Sequence, residues 1–326
     1  MSIPLDGPFY GDLAPGDELP RQPGVTIDSG MCAYHQAIVG ERLPLSLDQR
    51  LSAEVTGDPR ALVSPGLVMQ LSIGLSTTVS RRAIANLFYR GVRIHQSVFV
   101  GQTLETVVKV IGCSDGTVRP DRPGRGKVLV DIVTTADGEP AVTYERCPML
   151  PVGDNDMPGY DDDLGGGDTD LDLAALVDLP AAAWPLSRLG PPTPWAVGDT
   201  IEDPLRDIVD HATGLVRLTH NLAFVHRNVA HSPYPERLVY GGHVVGLAQA
   251  SLSRVINGLA AVVAWHECAH TGPAFEGDLL SFRHTLVDEL PVGDGRLLAV
   301  RVEGFAHRDG DEPASVLDWT PVVLAP

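Results

Sequence analysis

Histidine side chains that could transfer protons are concentrated in the second half of the chain. Nine of the 11 histidines lie at or after His211, and His220, His226 and His231 fall within the single stretch LTHNLAFVHRNVAH. A neutral imidazole can accept a proton near pH 7, and an imidazolium can donate one. Because a single histidine is more often solvated or packed in a core, the cluster indicates candidates for acid/base chemistry and does not by itself define a site.

A second candidate is the run Tyr240-Gly241-Gly242, which comes directly before an apolar segment that we predict to be a helix. Backbone N–H groups at the start of a helix have no partner inside it, and they lie at the positive end of the helix dipole. They can therefore hold a negatively charged oxygen. The two glycines could equally do no more than form a tight turn into the helix.

The chain also repeats itself at a separation of 176 residues. Residues 62–104 align without a gap on residues 238–280. We interpret the repeat as a fused duplication, in which two similar halves bury a shared interface and one half is free to lose its chemistry. Pro65 stands at the position of Gly241 and has no N–H to donate, so only the second half can present both donors. Identical pairs include Leu62 and Leu238, Gly66 and Gly242, Phe99 and Phe275, and Gly101 and Gly277.

Each half reads as one long apolar helix followed by strands. LVMQLSIGLSTTV, residues 67–79, has the composition of a helix buried on most sides, and HVVGLAQASLSRVINGLAAVV is its counterpart in the second half. We expect the helices near 67–79 and 243–256 to be adjacent, and a shorter helix over 27–39, with 54–65 as loop. The predicted architecture is α+β, with a sheet curled around each helix. The predicted strands are NLFYRGVRI, VFVGQTLETVVKVIG, KVLVDIVTTA and PAVTYERCPMLPV, then LLSFRHTLVDEL, LLAVRVEGFAHR and ASVLDWTPVVLA, with turns at 114–116 and 136–138.

The two halves are predicted to be separate domains, residues 1–152 and 196–326, joined by a linker over 153–195. The stretch DNDMPGYDDDLGGGDTDLD within it is acidic and rich in glycine. Such a composition buries too little apolar surface to offset the entropy lost on ordering. We therefore expect a mobile linker that lets the chain cross from one half to the other.

Composition limits the partners and the compartment. The formal net charge of −18 argues against nucleic acid or an anionic membrane as a partner, because both bind basic surfaces. The first 20 residues have neither a basic flank nor an apolar run, which argues against a signal peptide. The four cysteines form no C-x-x-C pair and indicate reduced thiols in a cytoplasmic protein.

Two regions resemble the MaoC-like acyl-CoA hydratases of the hot-dog fold. RLVYGGHVVGLAQASL followed by PAFEGDLLSFRHTLVDEL is similar to the loop, central helix and next strands of that family, and AIANLFYRGVRIHQSVFVGQTLETVVKVIG is similar to its strands. RLTHNLAFVH, RLVYGGHV and AIANL together resemble most the mesaconyl-coenzyme A hydratase (methylmalyl-coenzyme A dehydratase) branch. The resemblance implies a double hot-dog chain whose second half is catalytic and whose first half accommodates substrate.

The same resemblance implies a hydro-lyase acting on a short, branched or dicarboxylic enoyl thioester of coenzyme A or of an acyl carrier protein. Such a reaction needs a base for water, an acid for the α-carbon and donors for the thioester oxygen, and it needs no cofactor. We expect a pseudo-dimeric monomer or a homodimer. A hot-dog thioesterase and a non-catalytic acyl-thioester binding protein remain alternative hypotheses.

Related hydratases carry the motif D-x-N-P-x-H, which this sequence matches only in part. Our placement puts Asn221 and Ala223 at the Asp and Asn positions and His226 at the His position. An asparagine cannot act as a carboxylate base, so His226 would carry more of the proton transfer. A shifted placement uses His226, Asn228 and His231 instead.

The resemblance thus assigns His226, Asn221 and Asn228 to catalysis, with the Gly241 and Gly242 amides as oxyanion donors. Glu267 and His231 are further candidates for a second proton-transfer group. Arginines near the start of the first-half strands could contact coenzyme A phosphates; these are Arg81, Arg82, Arg90 and Arg93. The predicted substrate-binding residues are Tyr240, His231, His243 and Arg93.

Overall fold

The fold is described by a computed structural model that covers residues 5–117, 123–153, 157–167 and 171–326. Its α-helices are α1 (Ser29–Val39), α2 (Pro44–Leu47), α3 (Gln49–Thr56), α4 (Pro65–Leu75), α5 (Ala212–Leu218) and α6 (Gly241–Val255). Its strands are β1 (Val25–Thr26), β2 (Ala85–Ile94), β3 (Thr103–Asp115), β4 (Arg125–Ala136), β5 (Glu139–Pro151), β6 (Thr200–Glu202), β7 (Asp207–Ile208), β8 (Ala261–Ala269), β9 (Leu279–Val292), β10 (Gly295–His307) and β11 (Ala314–Ala325).

The strands form one continuous sheet in the order β1-β3-β4-β5-β2-β8-β11-β10-β9-β6, with β7 also paired to β9. The first five belong to the first half of the chain and the rest to the second. The halves join where β2 and β8 pair antiparallel, with Val92 opposite Trp265 and Arg93 opposite Ala264. The predicted α+β architecture, one central helix and an antiparallel sheet in each half, is confirmed.

The sequence repeat coincides with a structural repeat. Helix α4 begins at Pro65 and α6 begins at Gly241, and strands β2 and β8 begin at Ala85 and Ala261. Gly101 and Gly277, which are also paired by the offset, both adopt a left-handed backbone, with φ of 99° and 93°. A separation of 176 residues therefore relates equivalent backbone positions in the two halves.

The central helices contact each other, as predicted. Every residue of α4 is buried, and its Gln70 side chain donates a 2.8 Å hydrogen bond to the carbonyl oxygen of Gly242 at the start of α6. Gly246 allows this close approach, because a Cβ there would lie 2.8 Å from Gln70 Nε2 and 2.9 Å from Val39 Cγ1. Neither these helices nor any other in the described ranges is long and apolar enough to cross a membrane.

Several predicted boundaries were wrong. The second-half helix ends at Val255, whereas the prediction extended it to residue 263, and residues 261–263 begin strand β8. A left-handed Gly258 (φ 64°) separates the two elements. Residues 54–56, predicted as loop, complete helix α3, and residues 114 and 115, predicted as turn, lie in β3.

The segment between the halves packs against the protein at several of its described residues, whereas we expected a mobile linker. Asp162 accepts a 2.8 Å hydrogen bond from the backbone N–H of Cys113, and Leu164 is buried against Leu129 and Cys147. Composition suggested mobility because the acidic residues outnumber the leucines that anchor the segment. Residues 154–156 and 168–170 lie outside the described residues. Three further leucines, Leu173, Leu176 and Leu179, are buried in a second apolar cluster.

Two buried histidines lie near the contact between the central helices. His35 and His243 are 1% and 0% exposed, and among the described residues His35 Nε2 and both ring nitrogens of His243 have no hydrogen-bond partner. Burial is the main reason that the pKa of each imidazole is lowered to about 4; at His35 the Gln70 side chain acts in the opposite direction and His243 in the same direction. Both side chains are therefore neutral at pH 7.

We predict that these two residues contribute to a loss of stability in mild acid, together with the other buried histidines whose pKa is lowered to about 4. In the unfolded chain their pKa returns to about 6.5, so between pH 6.5 and about 4 the unfolded state binds more protons than the folded state. Stability is fully present above this window and falls by up to about 3 kcal/mol per histidine across it. Denaturant unfolding of His35→Leu and His243→Leu should show a weaker pH dependence than the wild type or the exposed-site variant His231→Asn. An unchanged pH dependence would contradict the assignment.

Candidate functional site

A cavity of about 360 Å³ lies between the two halves. Both halves contribute to its walls, which places three of the predicted catalytic residues of the second half opposite side chains of the first. The first half contributes Ile73, Thr77, Ser80, Tyr89 and Arg146, and the second half contributes Asn221, His226, Tyr240, Gly241 and His270, among others.

His226 lies in a short 3₁₀ turn, Phe224–His226, that borders this cavity. Its Nδ1 lies 3.0 Å from the carbonyl oxygen of Leu238. A carbonyl can only accept, so the neutral ring carries its proton on Nδ1 and leaves the Nε2 lone pair free. Burial lowers the pKa of His226 to about 4, which outweighs the opposite effect of this hydrogen bond. The ring is thus a neutral proton acceptor at pH 7.

His270 is a second imidazole in the cavity wall, and the sequence reasoning missed it. A Cβ placed on Gly241 would lie 2.4 Å from His270 Nε2, so the ring sits directly against the start of α6. Burial lowers its pKa to about 4, and the nearby His226 contributes to the same shift. The repeat contained a signal for this residue, because the offset pairs His270 with the apolar Ile94 of the first half.

The starts of the two central helices differ chemically. In α4 the Ser64 hydroxyl accepts a 3.1 Å hydrogen bond from the N–H of Gly66, and Pro65 has no N–H. In α6 the equivalent capping residue is Tyr240, and no side chain in the described part of the protein caps this helix. The uncapped end faces the cavity, because Gly241 forms part of the cavity wall.

The two predicted oxyanion donors, the N–H groups of Gly241 and Gly242, differ in their position relative to the cavity. Gly241 lines the cavity, whereas Gly242 lies behind the Tyr240 ring, whose Cζ would be 2.5 Å from a Cβ at that position. The Tyr240 ring also packs 5.6 Å from the His226 ring, measured between centroids. Tyr240 therefore fixes both the histidine and the helix start.

The equivalent place in the first half is nearly filled. A cavity of about 30 Å³ remains beside Pro65 and His95, and it is closed by Leu179, Ala181 and Trp184 of the segment between the halves. In the first half this segment therefore fills the space beside Pro65, whereas the equivalent space beside Gly241 in the second half remains open.

Asn221, at the Asp position of the motif, lines the cavity and is 1% exposed. Its Oδ1 accepts a 2.9 Å hydrogen bond from the N–H of Ala223. No hydrogen bond to another described residue uses its Nδ2, so this amide can donate to a molecule in the cavity.

Five other candidates do not line the cavity. Asn228 Oδ1 accepts from the Ala230 N–H at 3.0 Å, and the exposed His231 stacks on Phe224 with ring centroids 5.0 Å apart. Arg93 donates a 2.8 Å hydrogen bond to the carbonyl oxygen of Ala175. The remaining two are His243, which is buried near the helix contact, and Glu267, which lies opposite Thr320 in the sheet.

The arginines that we predicted to contact coenzyme A phosphates do not lie together at one place. Arg90 pairs with Glu145, with Nε 2.7 Å from the carboxylate. Arg81 and Arg82 adjoin Ser80 and Ala83 at the cavity wall. The Arg82 guanidinium lies over the Phe9 ring at 4.3 Å from its centroid and pairs with Asp6, and Arg81 donates to the carbonyl oxygen of Leu5. Of the four arginines, Arg81 and Arg82 are therefore the two that adjoin the cavity wall in the described residues.

A continuous sheet formed by two repeated helix-and-sheet units, with a cavity between them, defines a double hot-dog protein. The chain is 30% identical to the mesaconyl-CoA hydratase of Cereibacter sphaeroides over 320 residues, which cover 94% of this chain and 91% of that protein. It belongs to the family of mesaconyl-CoA hydratases and β-methylmalyl-CoA dehydratases.

A second relative and a solved structure agree with this family and fold. The chain is 30% identical to the β-methylmalyl-CoA dehydratase of Chloroflexus aurantiacus over an alignment of 351 positions that covers 98% of this chain and 97% of that protein. A conserved protein of Mycobacterium tuberculosis with a double hotdog fold superposes with a TM-score of 0.91, at 36% identity and 99% coverage of both chains. No family model matches the sequence.

We predict that His226 stays neutral, with its proton on Nδ1, down to about pH 4. Nitrogen-15 NMR of labelled histidine, assigned with a His226→Gln variant, would report both the tautomer and the titration. A His226 resonance that titrates near pH 6.5 would show that the ring is solvated and not held as described.

Proposed function

We propose that the chain is a hydro-lyase that reversibly adds water to the double bond of a short, branched or dicarboxylic enoyl-CoA thioester. The observation that carries the proposal is the uncapped start of α6, which meets two neutral imidazoles in one cavity. Neutral bases and a fixed N–H donor are what the addition of water to an enoyl thioester requires.

In the proposed reaction the thioester oxygen accepts a hydrogen bond from the Gly241 N–H, at the positive end of the α6 dipole. His226 Nε2 takes a proton from water as the water oxygen bonds to the β-carbon. The resulting imidazolium returns the proton to the α-carbon, so that one H and one OH are added. Since Asn221 cannot act as a base, its Nδ2 and His270 Nε2 orient the water.

The first half supplies the opposite wall and no proton-transfer group in this scheme. Coenzyme A is the proposed carrier, with its phosphates beside Arg81 and Arg82 at the cavity rim. We also propose a cytoplasmic enzyme, in line with four free cysteines. Because the two halves already pair through β2 and β8, a pseudo-dimeric monomer or a homodimer of such chains is the assembly we expect.

The direct test is to incubate the purified protein with a panel of enoyl thioesters of coenzyme A and of acyl carrier protein. Mass spectrometry would follow water addition and thiol release separately. Water addition without thiol release supports the hydro-lyase. Thiol release would indicate a thioesterase, and neither product would favour a non-catalytic binding protein.

We predict that His226→Ala lowers turnover by roughly 10²–10⁴-fold, the usual effect of losing a positioned acid or base. His95→Ala is the matched control, because His95 borders the filled first-half cavity and its Nε2 is 2.7 Å from Thr143 Oγ1. The control should retain near-normal turnover. If His226→Ala stayed active while Asn228→Ala or His231→Ala abolished turnover, the shifted placement of the motif would stand instead.

We predict that Gly241→Ala lowers turnover by roughly 10²-fold, because its methyl group would displace His270 and narrow the site. Pro65→Ala is the control at the equivalent position of the first half. It should leave turnover unchanged, because no step takes place there. Equal losses in the two variants would mean that both helix starts serve the reaction.

A further inference from the structure

The cavity wall contains a buried cation with no anionic partner. Arg146 lies on β5 and is 4% exposed. Its Nη2 donates to the carbonyl oxygen of Ser76 at 3.0 Å and to Ser80 Oγ at 2.8 Å. Among the described residues no carboxylate forms an ion pair with it, and its Nε has no hydrogen-bond partner.

An unpaired buried charge is costly, and proteins normally neutralise or pair it. An arginine cannot lose its proton, so this one keeps its charge inside the protein. The two N–H groups of Nη2 serve Ser76 and Ser80. Nε is buried, so the N–H groups of Nη1 are the ones that remain for a group in the cavity. Guanidinium groups match carboxylates in geometry and charge.

Arg146 has no charged counterpart at the equivalent position of the second half. Strand pairing places it opposite Tyr89, whose equivalent in the second half is Trp265. The residue opposite Trp265 on β11 is Pro321. The fold therefore does not require a cation at this position, and the charge is confined to the half that faces His226 and Gly241.

We propose that Arg146 is the specificity-determining residue of the site and binds a free carboxylate on the acyl group of the thioester. This rests on the proposed function for the position of the thioester, and it adds the residue that selects the acyl group. The proposed ligand of Arg146 is the acyl carboxylate and not a phosphate of the carrier, because Arg146 is buried in the cavity wall. The carrier phosphates are proposed to lie beside Arg81 and Arg82, which adjoin the cavity wall. With Gly241 holding the thioester oxygen and Arg146 holding the far carboxylate, the acyl chain spans the cavity between the two halves.

Arg146 also has a structural contact, which the test must separate from binding. Its bond to Ser76 lies at the end of α4, where a cation stabilises the last carbonyls. A purely structural role would affect all ligands equally. The measurement must therefore be a ratio between two ligands that differ only in the distal group.

Succinyl-CoA and butyryl-CoA form such a pair, since one carries a terminal carboxylate where the other carries a methyl group, and neither has a double bond to hydrate. Isothermal titration calorimetry should show that the wild type binds succinyl-CoA roughly 10²-fold more tightly. Arg146→Met should remove this preference, and Arg146→Lys should restore part of it. Butyryl-CoA affinity should change little in either variant.

Equal affinities in the wild type, or a preference that survives Arg146→Met, would overturn the proposal. An equal loss for both ligands would assign Arg146 to structure alone. A succinyl-CoA preference that depends on Arg146, in a protein that adds water to no enoyl thioester, would sustain the binding role and reject the hydro-lyase. The two proposals therefore fail in different ways.

Discussion

The close contact between α4 and α6 is the interaction on which the site depends. Gly246 removes the side chain that would block it, and Gln70 fills the space and bonds to the Gly242 carbonyl at 2.8 Å. Because that carbonyl is in the first turn of α6, the bond fixes the position of the helix start relative to the first half. The position of Gly241 in the cavity wall is thus set by a contact between the two halves.

The duplication explains why one chain has two similar helix starts that differ in the size of the cavity beside them. In the first half, Ser64 satisfies the Gly66 N–H, Pro65 removes a donor and Ile94 stands in place of His270. Leu179 and Trp184 then fill most of the space that remains. Each change removes one requirement of the proposed chemistry while preserving the buried helix and the shared sheet. The first half keeps a different role, since it supplies Tyr89 and Arg146 to the opposite wall.

Apolar patterning was sufficient to predict both central helices and most strands, because these elements are buried and their composition reflects it. The same patterning extended α6 too far, since the run AVVA at the start of β8 is as apolar as the helix before it. A short buried strand and a buried helix segment cannot be separated by periodicity alone. The sequence predicted that the segment between the halves is mobile, but a few leucines anchor this otherwise acidic stretch.

Of the site residues predicted from the sequence, His226, Asn221, Tyr240 and Gly241 line the cavity, and they lie within one short region of the chain. The sequence reasoning missed His270 and Arg146, which reach the cavity from β-strand regions distant in sequence. Both had local signals: His270 replaces Ile94 in the repeat, and Arg146 continues the inward-facing alternation of Val142 and Tyr144 on β5. Only the folded structure shows that Gly242 lies behind Tyr240, because that depends on how α6 is rotated about its axis.

The most direct measurement is a crystal structure of the His226→Ala variant with a bound enoyl-CoA. The account predicts one ligand per chain, with its thioester oxygen about 3 Å from the Gly241 nitrogen and its acyl group between the two halves. A thioester bound beside Pro65 and His95, or one that makes no contact with the start of α6, would contradict it.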